Sequence, residues 1–303
     1  MTEIVVLVNP HAGSGRAVAV WERARAAVPA AAAARVVLAG DPASAAAQLD
    51  ELLGAEPPPE RLIAVGGDGT VHLAANRLVA DGLAGRVALG MVPGGTGSDL
   101  ARTLGLPRRP AAALAHALAA KPRPIDLLRV TSGGDRRVVL NVASAGISGL
   151  VATRINAMPV KGRLVYLTAA LRAVAAYRPF VARVTVDGKL FYDGGVYLVA
   201  VANGPTFGKG MKVAPRAEIA DGVADVVVVR AIPPWRVPFE LPRLYLGNLL
   251  ASRAVTWRRG VRVEIEPEAG PAGALPPLEI DGETLPGAAA EIEVLPGALR
   301  FVA

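Results

Sequence analysis

The sequence predicts an α/β plus β protein: an amino-terminal α/β domain with a parallel sheet, followed by a carboxy-terminal β-sandwich domain. Three observations predict it. Aliphatic runs that end in glycine-rich loops and lead into helices occur three times in the first hundred residues, and such corners imply parallel strands joined by crossover helices. From Ile125 onward the chain changes to short β runs separated by turn signals, an antiparallel sandwich pattern, with Pro107, Pro110, Pro122 and Pro124 punctuating the change. The 303 residues, 52% of them hydrophobic, supply a core for each of two domains, 1–124 and 125–303.

The first corner begins with Ile4 to Val8, a strand of the buried type, and continues as Asn9-Pro10-His11-Ala12-Gly13-Ser14-Gly15-Arg16. Asn9 can tie down this loop through its side-chain amide, Gly13 and Gly15 permit positive φ, and Ser14 offers a hydroxyl to phosphate or to the helix expected over 17–28. It is no Walker A loop, because the Gly-Lys-Ser/Thr ending is missing. A helix is expected over 43–53. The second corner is Leu62 to Val65 followed by Gly66-Gly67-Asp68-Gly69-Thr70, with Thr70 as cap of a helix over 71–79. Its glycines remove every Cβ that would hold a ligand off the backbone, so amide N–H groups and a helix N-terminus face an anion, as in phosphate sites. A carboxylate at Asp68 makes electrostatic sense there if Mg²⁺ lies between it and the phosphates. The alternative is a tight turn with Asp68 as a cap. The third corner is Val87 to Val92 followed by Pro93-Gly94-Gly95-Thr96-Gly97-Ser98-Asp99-Leu100-Ala101-Arg102. Thr96 and Ser98 bring hydroxyls and Asp99 a second carboxylate, with Arg102 one turn further on, in reach of Asp99. Helices over 98–104 and 110–120 complete the domain. Sheets of this kind bind ligands at the carboxyl ends of their strands, so the three loops should converge on one nucleotide.

Beyond Ile125 the expected strands are 125–130, 136–142, 181–186, 196–202, 224–230, 261–265, 278–280, 290–294 and 299–302. Asp187-Gly188 reads as a hairpin turn. Leu164, Leu167, Leu171 and Val174 recur at helical spacing and predict a helix over 163–177; a second is expected over 239–250. In Ile125-Asp126-Leu127 a lone charge sits between apolar neighbours at the start of a strand, a costly place for an unpaired carboxylate; Asp126 is either a site residue or an exposed strand position. Ile280-Asp281-Gly282-Glu283 is either a turn or a pair of working carboxylates. His72 reads as an ordinary surface-helix residue.

The net charge is +7 and unevenly spread. Between Arg136 and Val186 there are eight basic residues and no acidic one, and Arg230 to Arg262 carries seven arginines against Glu240 alone. Such a face either docks on anionic lipid or is simply solvated. Nucleic acid is not an expected partner, given 4% aromatic residues and no recognition motif. The absence of cysteine excludes disulfides, thiolate metal sites and a cysteine nucleophile. The start lacks the regions of a secretory signal, so a cytoplasmic protein is expected; no stretch approaches the roughly 20 apolar residues that cross a bilayer, so membrane contact should be peripheral, at the inner face.

In order and spacing, NPHAGSGRA, GGDGTVHLAAN and PGGTGSDLAR, then ADGVADVVVV and IDGE, resemble the diacylglycerol kinase catalytic domain family, which includes sphingosine kinases and bacterial lipid kinases. The resemblance covers nearly the whole chain. It implies a nucleotide-binding domain, a lipid-binding β-sandwich and an active site in the cleft between them, with the last segment returning to the first domain. It also implies transfer of the γ-phosphate of Mg·ATP to a hydroxyl of a membrane lipid such as diacylglycerol. ATP would be held by Gly66, Gly67, Asp68, Gly69 and Thr70 and by Gly94, Gly95, Thr96 and Asp99, assisted by Asn9, Pro10 and Gly13. Asp68 and Asp126 would organise Mg²⁺, and Glu283 would accept the hydroxyl proton with Asp281 beside it. A second, structural Mg²⁺ would fall on Asp221, Glu218 and Val223. The chain departs from the family pattern at Ser98, where many members have Asn, and at His72-Leu73, where an Asn-Glu pair is common. Ala39-Gly40 stands where a Thr often contacts nucleotide. NAD kinases share the GGDGT loop and phosphofructokinases a similar one, and a non-catalytic nucleotide-binding regulator is the alternative of a different class. Edge-strand pairing through the sandwich would give a homodimer, by fold-level analogy.

Overall fold

The computed structural model describes residues 3–38, 40, 42–94, 98–150, 177–268 and 275–303. The chain divides into two units, one running to Leu127 and including Pro296–Ala303, the other Leu128–Leu295.

The first unit is built on β1 (Ile4–Val8), β2 (Arg35–Leu38), β3 (Arg61–Gly66) and β4 (Ala88–Pro93) in the order β2-β1-β3-β4, all parallel. β1 and the interiors of β3 and β4 are apolar because both faces are covered, whereas the edge strand β2 is half exposed. On one face Val6, Val8, Ile63, Val65 and Val92 pack with Trp21 and Ala24 of α2 (Ala17–Ala27) and with Leu114 and Ala117 of α6 (Pro110–Ala119). Arg61 fixes the end of α6, donating from Nη1 to the carbonyls of Ala117 and Ala120 at 2.9 and 3.0 Å, the partners a helix C-terminus leaves open. A short α1 (Ala12–Gly15), α3 (Pro42–Leu53), α4 (Asp68–Ala80) and α5 (Asp99–Thr103) complete the unit. Residues 296–303 extend the sheet beside β4: Phe301 pairs with Leu89 in parallel register, and Val302 N–H donates to Leu89 O at 2.8 Å.

The second unit is antiparallel. Its long strand β9 (Lys189–Ala202) pairs with β8 (Phe180–Val186) over its first half; over its second half it lies between β7 (Val142–Gly146) and β10 (Ala224–Arg230). Beyond β8 come β12 (Arg262–Pro267) and the start of β15 (Ala290–Phe301); beyond β7 come β13 (Leu278–Ile280) and β14 (Glu283–Leu285). Further ladders join β10 with β11 (Val255–Gly260) and β5 (Arg123–Ser132) with β6 (Asp135–Val139), and β5 also pairs with β15. Side chains alternate between two cores. Val199, Val201, Val226 and Val228 enter one with Leu128, Val184 and Ile265, while Leu198, Ala200, Ala202 and Val227 enter the other with Val213 and Leu249. The helix α7 (Val237–Leu246) covers the second core through Leu244.

The structure corrects several sequence expectations. The helix α4 begins at Asp68, inside the glycine motif, with Gly67 as its cap; Thr70 lies in the first turn and makes no cap bond. His72 is buried, 2% exposed, against the surface position expected. One strand over 136–142 is two, β6 and β7, because Leu140 and Asn141 bond elsewhere, as described below. The two strands expected over 290–302 are one, β15, and β11 and β14 are additional strands. The helix expected over 239–250 is α7, shifted toward the amino terminus. The helix expected over 163–177 falls, apart from Tyr177, outside the described residues. Asp187-Gly188 forms the expected turn, with φ of 51° and 71°. Among the described residues no helix is long and apolar enough to cross a membrane.

Candidate active site

The strand register of the first unit sets the three glycine corners side by side. Val8 lies opposite Val65 and Gly66 opposite Pro93, so β1, β3 and β4 end together. The corners are also bonded to one another: Asn9 N–H donates to Val65 O at 3.3 Å and Gly94 N–H to Gly66 O at 2.8 Å. Asn9 Oδ1 accepts from His11 N–H at 3.0 Å, closing the loop that carries Pro10, and Gly13 and Gly15 take positive φ of 61° and 84°. The Ser14 side chain and residues Gly95, Thr96 and Gly97 lie outside the described residues.

Two glycines of the second corner differ in what surrounds them. A Cβ on Gly66 would overlap the Thr70 hydroxyl and stand 2.8 Å from Thr70 Cβ, and one on Gly94 would meet Gly66 Cα at 3.4 Å, so backbone packs directly on backbone and Thr70. Gly67 has nothing within 4 Å of its Cβ position. At Gly67 the loop therefore opens toward space at the amino-terminal, partially positive end of α4, next to Asp68 and Gly69.

The three candidate carboxylates of this unit, Asp68, Asp99 and Asp126, are engaged by the backbone or by arginine. Asp68 accepts from Asp99 N–H at 3.0 Å and Leu100 N–H at 3.3 Å, satisfying the first amides of α5 from another helix. Ser98, at the cap position itself, makes no side-chain cap bond, and its buried hydroxyl has no hydrogen-bond partner among the described residues. Asp99 is buried and takes Arg102 Nη1 at 2.6 Å, the one-turn pairing expected from the sequence. Asp126 is buried rather than exposed and accepts from Gly297 N–H at 2.7 Å.

In the second unit, Asp281 and Gly282 turn β13 into β14 with φ of 49° and 93°. The Asp281 carboxylate accepts from three successive amides: Leu140 to Oδ2 at 2.8 Å, and Asn141 and Val142 to Oδ1 at 3.0 and 3.2 Å. The break between β6 and β7 is completed by Asn203 Nδ2 donating to Leu140 O at 2.7 Å and by Asn141 Nδ2 donating to Thr206 O. Asp187 uses the same device, accepting Val261 and Arg262 N–H at 2.9 Å each. Glu283, two residues past Asp281, is exposed at the start of β14. At the loop before β10, Asp221 accepts from Val223 N–H at 3.2 Å and lies 3.4 Å from Arg259 Nη1, and Glu218 is exposed. Among the described residues no three acidic or histidine side chains cluster as a metal site. Asp225 nearby is 1% exposed, its Oδ1 has no hydrogen-bond partner among the described residues, and burial raises its pKa against the opposing pull of Arg259.

Two family models divide the chain between them: the diacylglycerol kinase catalytic domain over residues 3–130 and the YegS carboxy-terminal NAD kinase beta sandwich-like domain over 141–303. The chain belongs to this lipid kinase family. A relative named probable lipid kinase YegS-like from Stenotrophomonas maltophilia is 32% identical over 79% of this chain and 77% of that one. Another of the same name from Chromohalobacter salexigens is 34% identical over 80% and 76%. A protein named diacylglycerol kinase from Mycobacterium tuberculosis is 28% identical over 80% and 76%. The structure of a diacylglycerol kinase from Bacillus anthracis aligns over 99% of this chain and 96% of that one, with a TM-score of 0.72 and 22% identity; it shares the fold. As a member of this family the protein is a kinase.

Sequence reasoning passed over Glu279. It is buried, accepts from Ser144 Oγ at 2.8 Å and from Gly282 N–H at 2.6 Å, and so braces the turn that carries Glu283. Its signal, a lone charge inside Leu278-Glu279-Ile280, is the one that singled out Asp126; Asp225 between Ala224 and Val226 shows it too.

Proposed function

We propose that the protein transfers the γ-phosphate of Mg·ATP to a hydroxyl of a membrane lipid such as diacylglycerol. The observation that carries the donor side is the bonding of three glycine corners at adjacent strand ends, with the loop open at Gly67. Phosphoryl transfer asks a protein for positioning and charge stabilisation more than for covalent chemistry. In this reading Gly66, Gly67, Gly69 and Thr70 with Gly94, Gly95, Thr96 and Asp99 hold the phosphates, and Asn9, Pro10 and Gly13 close the pocket from β1. Asp68 and Asp126 are the carboxylates for Mg²⁺, which when bound neutralises charge on the transferring phosphoryl group. Glu218, Asp221 and Val223 would hold a structural Mg²⁺; the buried Asp225 close by in the sequence, which pairs with Arg259 through Oδ2 and whose Oδ1 has no hydrogen-bond partner among the described residues, suits a cationic neighbourhood. Glu283 orients the acceptor hydroxyl and takes its proton late in a loose transition state. Asp281 acts through the turn, fixing where Glu283 emerges. The lipid is met at an anionic membrane surface by a peripherally bound enzyme.

The test is transfer of labelled γ-phosphate from Mg·ATP to a panel of dispersed membrane lipids, with Glu283→Gln as control. Label in one lipid, lost in the variant, is the expected result. Label in NAD instead, or an active Glu283→Gln enzyme, overturns the reading.

A further inference from the structure

The helix α7 is apolar on two sides. Inward, Val237 is 8% exposed and Leu244 packs on the second core. Outward, Pro238, Phe239, Pro242, Tyr245 and Leu246 recur at i, i+1, i+4, i+7 and i+8, a single stripe, and every one of them is exposed. Phe239 and Leu246 are 72% and 71% exposed, and Trp235, in the 3₁₀ turn that leads into the helix, is 69% exposed. Among the described residues four of the eight exposed large hydrophobics fall within these twelve positions, so the patch is contiguous rather than scattered.

The rim of the stripe is basic. Arg236 lies over the Trp235 ring at 5.7 Å, Arg243 is in the last turn of the helix, and the Lys212 side chain packs against Gly247, the left-handed residue that ends it. The one acidic residue, Glu240, is held by Arg243 at 3.1 Å. A two-fold contact between copies would set these same cations against each other. An anionic surface with an apolar interior matches both the rim and the stripe.

We propose that the outward face of α7, with Trp235, inserts into the interface of an anionic lipid bilayer. Ten residues of helix span about 15 Å, half a bilayer core, so α7 lies in the interface plane and does not cross. Trp235 and Tyr245 suit the head-group level, Phe239 and Leu246 the acyl boundary beneath it, and Arg236 and Arg243 the anionic head groups. The proposal takes its choice of partner from the lipid-kinase reading, and deepens it by naming the docking face.

The chain has no cysteine, so Leu246→Cys and, as a control on the β8–β9 hairpin, Leu190→Cys each offer one site for an environment-sensitive fluorophore. Vesicles of phosphatidylcholine with and without phosphatidylglycerol are the probe. The expected result is a blue shift at position 246 with phosphatidylglycerol vesicles and none at 190. The double variant Phe239→Ser/Leu246→Ser should lose about tenfold or more in vesicle affinity while melting like the wild type. It should also phosphorylate dispersed short-chain diacylglycerol at the wild-type rate. Vesicle binding without a shift at 246, no vesicle binding, or a lipid-free shift that accompanies dimerisation overturns the proposal. A wild-type protein inactive on the dispersed acceptor sinks the acceptor assignment alone, since the label at 246 decides the docking face by itself.

Discussion

Removing the Asp281 carboxylate separates its role in the fold from any role in the reaction. Three amides converge on it, from residues that are themselves buried: Leu140 at 1%, Asn141 at 6% and Val142 at 1% exposure. A hydrogen bond to a charged acceptor contributes about 1.5–3 kcal/mol, and a buried amide left unsatisfied costs about 1–3 kcal/mol. In Asp281→Asn the amide oxygen can still face Asn141 and Val142, but its NH₂ then faces the Leu140 N–H, donor against donor. That variant should lose about 2 kcal/mol. Asp281→Ala loses all three acceptor contacts and a residue that tolerates positive φ, and should lose about 4 kcal/mol, a large part of the stability of an ordinary domain. Asp187 supplies the internal comparison: Oδ1 alone receives both of its amides, so Asp187→Asn keeps the acceptor and should cost under about 1 kcal/mol. Urea unfolding followed by tryptophan fluorescence, with unchanged slope, measures all three. Kinase activity assayed well below each midpoint should survive in Asp281→Asn within about tenfold, since only the turn beneath Glu283 shifts. An Asp281→Asn protein with the wild-type midpoint and a thousandfold loss of turnover would refute the reasoning, because the reactants and not the amides would then need the charge.

Further predictions test the other positions. Gly66→Ala forces a methyl into Thr70 and should destabilise by about 1–3 kcal/mol, whereas Gly67→Ala, with open space and an extended backbone, should leave the melting point unchanged and raise the KM for ATP about tenfold or more; an unaffected KM would remove Gly67 from the phosphate loop. Glu283→Gln, at an exposed strand end, should unfold like the wild type yet lose roughly 10²–10⁴ in kcat, as single-turnover measurements would read. Arg102→Ala withdraws the 2.6 Å partner of a buried carboxylate and should cost about 1–2 kcal/mol in denaturant unfolding, discounted for the 40% exposure of the arginine side chain; an unchanged midpoint would mean the pair adds nothing to stability.

Local signals carried the fold well wherever one segment decides its own conformation. The runs 4–8, 62–65 and 88–92 are apolar because both their faces are covered, and that is visible without knowing the neighbours. Expectation failed where a distant group decides. Residues 136–142 read as one strand, yet the Asp281 carboxylate, Asn203 and Thr206 claim Leu140 and Asn141 and split it. α4 starts three residues before the expected position because Thr70 offers a capping hydroxyl in the sequence, whereas Gly67 caps with its backbone alone. Asp68 illustrates the same limit at the site: its partners, the amides of Asp99 and Leu100, lie 31 and 32 residues on. His72 reads as a surface residue because an imidazole is found buried as well as solvated, and its own helix gives no periodicity that distinguishes the two.

The return of residues 296–303 to the first unit bears on how the chain comes off the ribosome. Phe301 is fully buried beside Leu89, and Arg300 N–H bonds Ala84 O, so β4 lacks its outer neighbour until these residues have been made. Roughly 170 residues separate Leu127 from Pro296, which at about 5–20 residues per second is on the order of ten seconds or more of synthesis. Throughout that interval a parallel sheet with an unpaired hydrophobic edge waits in solution, the kind of edge that recruits other strands. The nascent amino-terminal half is thus the aggregation-prone species of this protein, and chaperone demand should fall on it before the full chain is released.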